Sequence, residues 1–102
     1  MLKEIQSAFA AGRVKWRLHA LQRMLERGII RADIASVVVS GEIIETYPTG
    51  KPFPACLIFG IAGERPMHAV VAWDAETETT YVITVYQPDQ EHFGVDFKTR
   101  RN

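Results

Sequence analysis

With 102 residues, 47% of them hydrophobic and 24% charged, the chain has the length and composition of one globular domain rather than of a disordered segment. Cys56 is the only cysteine, which excludes a disulfide framework, and no stretch approaches a membrane-spanning run. The net charge is zero, yet residues 1–40 hold seven Lys/Arg against three Asp/Glu, while residues 41–102 hold five against nine. Most of the positive excess lies between Arg13 and Arg31. Phosphate binding needs a local positive field and not a basic pI; a solvated helix face gives the same pattern.

In chain order, Leu2, Ile5 and Phe9 recur at helical spacing, and Gly12 supplies a stop. Residues 1–12 do not read as a secretory leader, because Lys3, Glu4 and Gln6 break the apolar stretch. The next stretch, Arg13 to His19, alternates basic with apolar residues, as an extended segment with one wet face does. From Leu18 the period becomes helical: Leu18, Leu21 and Leu25 mark a buried stripe on a helix ending at Gly28. His19, Arg23, Glu26 and Arg27 fall on its other side. A third helix is expected from about Arg31 to Val39, with Ile34, Val37 and Val38 inward and Gly41 closing it.

The pattern then turns to strands: Glu42–Tyr47, Cys56–Ile61, Met67–Asp74 and Tyr81–Tyr86, separated by short polar or proline-containing turns. These imply an antiparallel meander. The expectation is an α+β domain spanning residues 1–102, with about three N-terminal helices on one face of a four-stranded antiparallel sheet. The basic tail, Lys98 to Asn102, reads as loosely held. Strand alternation predicts Met67, Ala69, Val71 and Trp73 inward, with His68, Val70 and Ala72 opposite. On the last strand it sets Tyr81, Ile83 and Val85 inward, against Thr84 and Tyr86.

No phosphate-binding glycine loop, dinucleotide fingerprint or zinc-ligand spacing occurs, so neither a metal site nor a cofactor is expected. What remains is a set of polar residues that folding does not require. His19, Arg23 and Arg27, four apart, share a helix face; His68 and Tyr86 sit on strands. A basic helix edge beside such a sheet face suits metal-free RNA cleavage. That reaction needs a base for the ribose 2′-hydroxyl, an acid for the leaving oxygen and a cation at the phosphate. Histidine suits the first two tasks, and arginine grips phosphate oxygens bidentately. Each residue also has a plain structural use: His19 as a helix-start residue, Arg23 and Arg27 as partners of Glu26, His68 as a strand-entry residue, Tyr86 as a half-buried aromatic. Residue chemistry alone leaves both readings standing.

Five blocks in order carry a resemblance: His19-Ala-Leu-Gln-Arg-Met-Leu-Glu-Arg-Gly-Ile29, Gly41-Glu-Ile-Ile-Glu-Thr-Tyr-Pro48, Cys56-Leu-Ile-Phe-Gly60, Arg65-Pro-Met-His-Ala-Val-Val71 and Ile83-Thr-Val-Tyr-Gln-Pro88. From about Lys15 to Asp89 the chain resembles a bacterial family labelled a domain of unknown function, itself similar to the RelE/barnase-like nuclease toxins. The resemblance implies helices packed on an antiparallel sheet and a toxin role beside a small, zinc-finger type antitoxin. It brings His19, Arg23, Arg27, His68, Thr84 and Tyr86 forward as recurrent polar positions. The expected function is a cytoplasmic, metal-independent endoribonuclease. His19 and His68 share acid–base work, Arg23 holds the phosphate and Tyr86 orients it. Lys15, Arg17, Arg27 and Lys51 track the RNA backbone. The alternative is a non-catalytic module of the same fold that binds protein or RNA.

Overall fold

The computed structural model describes residues 1–101. Three helices, α1 (Leu2–Ala10), α2 (Leu18–Arg27) and α3 (Arg31–Ser40), accompany a mixed sheet of β1 (Val14–Trp16), β2 (Glu42–Tyr47), β3 (Ala55–Ala62), β4 (Arg65–Asp74) and β5 (Thr79–Tyr86). The sheet order is β1-β5-β4-β3-β2, and β2 to β5 form the expected antiparallel meander. It has five strands, not four. The alternating stretch after Gly12 is long enough to add a short parallel strand to the free edge of β5, with Lys15 beside Tyr81.

Cα partners share a face, so the register sorts the sheet. One face carries Cys56, Ile58, Met67, Ala69, Val71, Val82 and Val85, and packs with Ile5, Ile34, Val37 and Val38 of α1 and α3 into one core. Helix α3 lies close on β3 because Gly60 has no side chain: a Cβ there would sit 2.6 Å from the Val37 carbonyl oxygen. Asp33 starts α3 by accepting the Ile30 N–H at 2.9 Å and also pairs with Arg65 at 3.0 Å.

Two inward assignments are corrected. On α2 the buried residues are Ala20 and Met24, with Leu21 partly buried, whereas Leu18 and Leu25 are 70% and 85% exposed. The strand that precedes α2 sets its rotation: Trp16 packs against the core, and the Arg17 N–H bonds to the Val82 carbonyl at 3.0 Å. Leu18 therefore starts the helix facing outward. On β5, Val70 faces Thr84 but Val71 faces Val82, so Ile83 is an extra, bulged residue. The bulge puts Val82 and Val85 in the core and leaves Tyr81 and Ile83 off it, while Trp73 packs against the core only in part.

Candidate functional site on the second sheet face

Helix α2 leaves the sheet where β1 ends and runs along the remainder of β5, so its exposed side overlooks the sheet face that α1 and α3 do not cover. His19 and Arg27, two turns apart and separated by about 12 Å along the axis, line two different grooves on this side. The first groove has a volume of about 550 Å³. Its floor is Ala55, Val70, Ala72 and Ile83; Pro52 and Phe53 form a wall, and Arg17, His19 and Lys51 stand at the rim. Among the described residues, no carboxylate lines the groove. Phe53 stacks on Tyr81 with centroids 5.3 Å apart and planes at 21°, and the Arg17 guanidinium lies 5.4 Å from the Tyr81 centroid. Lys15, the partner of Tyr81, faces the same way. Among the described residues, Lys15, Arg17, Arg27 and Lys51 take part in no ion pair, whereas Arg23 meets Glu26 at 3.3 Å.

Farther along the same face lies a buried polar cluster. His68 sits between Phe59 and Tyr86 on the neighbouring strands and is 0% exposed. Its Nε2 lies 2.6 Å from the Phe97 carbonyl oxygen, which can only accept, so Nε2 carries the proton. In the neutral ring Nδ1 then accepts from the Tyr86 hydroxyl at 3.2 Å. The residues after β5 fold back over this ring: Phe93 meets it edge-on at 4.5 Å, and Arg100 reaches Glu45 through two contacts of 2.5 and 3.1 Å. Lys98 pairs with Glu42 at 2.7 Å. At Lys98 and Arg100, then, the basic tail is tied to β2 rather than loose; Asn102 lies outside the described residues. Burial pushes the His68 pKa down and the Tyr86 phenol up. The Arg100 guanidinium holds the Glu45 carboxylate below its usual range, and desolvation with Glu45 pushes Tyr47 up to about 12.

The structure thus brings His19, Arg17 and Lys51 to one groove, and Arg27 and Tyr86 to the other. It does not present His19 and His68 to one open cleft. His68 lines neither groove, because the tail covers it and both its nitrogens are engaged. Arg23 lies between His19 and Arg27 on α2 and is partly exposed. Sequence reasoning missed Phe53 and Ile83 in the groove, Tyr81 stacked behind Phe53, and Glu45, Phe93, Phe97 and Arg100 around His68. The alternation of β5 hid Tyr81 and Ile83, Phe53 lies in the connection between β2 and β3 where no period applies, and only pairing across the fold brings the second set together. Among the described residues, one trio with metal-ligand geometry, Asp89, Glu91 and His92, is exposed. Its Asp89 Oδ1 already accepts from the Glu91 and His92 N–H groups, as a turn-capping carboxylate does. Among the described residues, no helix is long and apolar enough to cross a membrane.

A family model described as Domain of unknown function (DUF4258) matches residues 16–87, from the end of β1 to the residue after β5. No curated protein and no solved structure matches the chain.

Proposed function

The chain belongs to the DUF4258 family, and we propose that it is a metal-independent endoribonuclease, the toxin of a bacterial toxin–antitoxin pair. One observation carries the reading: cations without ion-pair partners frame a sheet-face groove that holds no carboxylate. Such a surface suits a polyanion. Lys15, Arg17, Arg27 and Lys51 track the RNA backbone, and Arg23 grips the scissile phosphate through its planar guanidinium. His19, the exposed imidazole of the groove, takes the proton of the ribose 2′-hydroxyl. The 2′-oxygen attacks phosphorus, the bond to the 5′-oxygen breaks, and the imidazolium returns the proton to that oxygen. These groups need no metal. His68 is a positioning residue, holding the Tyr86 phenol, which orients the strand near the second groove.

The similarity of the sequence blocks to RelE/barnase-like toxins supports the toxin role, a cytoplasmic location and a small zinc-finger type antitoxin as partner. Exposed Leu18 and Leu25 on α2 offer such a partner apolar contact. A second reading, a module that binds RNA without cutting it, is favoured by the complete burial of His68.

Incubation of the pure protein with total RNA in EDTA, with the cut ends mapped, separates the two. The expected products end in 2′,3′-cyclic phosphate, and His19→Ala should slow cleavage by ~10²–10⁴-fold. RNA that is bound but stays intact would leave the binding module, and RNA that is not bound at all would remove both readings.

A further inference from the structure

We infer that the first groove is a nucleobase subsite, which takes one unpaired base of a single-stranded RNA while the flanking phosphates rest on Arg17 and Lys51. The inference rests on the RNA reading above and adds the form in which RNA is held. The floor is apolar and shallow because β3 and β4 contribute the facing pair Ala55 and Ala72, and larger side chains there would fill it. The volume of about 550 Å³ is within the range of small-ligand sites. The Phe53 wall is braced from behind, since its ring stacks on Tyr81, and Tyr81 is covered in turn by Arg17. That stack fixes a flat aromatic surface beside an apolar floor.

Charge selects the occupant. A purely apolar ligand would leave the rim of Arg17, His19 and Lys51 unused, and a bare phosphate would leave the floor unused. A nucleotide uses both, because its base has apolar faces and its phosphates are anionic. Stacking on aromatic side chains is tolerant of base identity, so the groove reads strandedness more than sequence. Paired bases are buried in the duplex stack and cannot enter.

The test compares three fluorescently labelled RNAs of equal length by anisotropy: a single-stranded oligonucleotide, the same strand built from abasic nucleotides, and a duplex. The wild-type protein should bind the intact single strand about 10-fold more tightly than the abasic strand, within the range that one stacked base contributes. Binding of the duplex, whose bases are stacked away, should be salt-dependent and unaffected by Ala55→Leu. Ala55→Leu, which fills the floor without altering charge, should erase the preference and leave the salt-dependent remainder. Equal affinity of the wild-type protein for intact and abasic strands, with salt-dependent binding retained, overturns the base subsite and leaves the RNA reading in place. Absence of binding to all three overturns both. The wild-type comparison decides the matter even if Ala55→Leu fails to fold.

Discussion

With both ring nitrogens bonded and no exposed surface, His68 is held neutral. Burial disfavours the imidazolium more than the Phe97 carbonyl favours it, so its pKa falls below the ordinary 6.5. In the unfolded chain the ring is free to protonate at its ordinary value. The unfolded state therefore binds the proton more readily, and stability rises with pH across this window. The contribution is complete above the unfolded pKa and is lost as pH falls through the folded one. Glu45 and Asp96, the latter held down to about 2, act in the same direction but only in the carboxylate range. From about pH 7.5 to about 5 the wild-type Tm should fall, and His68→Gln should flatten that part of the curve. A wild-type Tm that is constant or rises on acidification would show that the ring is not held neutral.

The segment after β5 is the element that decides what this sheet face exposes. It is anchored by apolar contact at Phe93 and by Glu45–Arg100 and Glu42–Lys98, both at an exposed rim. Exposed ion pairs contribute ~0.2–1 kcal/mol. Arg100→Ala should therefore speed amide hydrogen exchange in residues 94–101 by up to about 5-fold, and high salt should do the same to the wild type. Global Tm should barely move. Unchanged exchange would mean that the aromatic contacts hold the tail alone.

This same segment marks where the sequence stops being legible. Helix spans and the spans of β2 to β5 followed from period and punctuation, because Gly12, Gly28 and Gly41 and the prolines interrupt the chain where several elements end, whereas the pairing of β1 with β5 did not. The facing of two elements did not follow. Two stripes on α2, one of leucines and one of Ala20 with Met24, satisfy the helical period equally. The packing of Trp16 on the core and the bond from Arg17 to Val82 set which one turns inward. A single bulged residue, Ile83, reversed the parity of the N-terminal part of β5 and moved Tyr81 from the expected core to the groove side. His19 and the arginines were legible as a helix row because four-residue spacing is local. The cover over His68 was not, since Phe97 lies 29 residues away in sequence and meets it only through the fold.

For the whole molecule, a net charge of zero conceals a polar distribution: the positive half of the chain supplies β1 and α2, and the negative half supplies most of the carboxylates. Lys98 and Arg100, from the negative half, are neutralised by β2, whereas Arg17 and Lys51 at the first groove and Arg27 at the second take part in no ion pair among the described residues. The central claim is that the α2 side of the sheet binds the RNA backbone, and the salt dependence of binding tests it most directly. Single strands release counterions with a slope of about −0.7 per phosphate neutralised in a plot of log affinity against log salt. With Lys15, Arg17, Arg23, Arg27 and Lys51 engaged, the slope for a single-stranded RNA should be about −3.5. Arg17→Gln with Lys51→Gln should reduce its magnitude by about 1.4. A flat dependence, or a slope that the double variant leaves unchanged, would contradict the account.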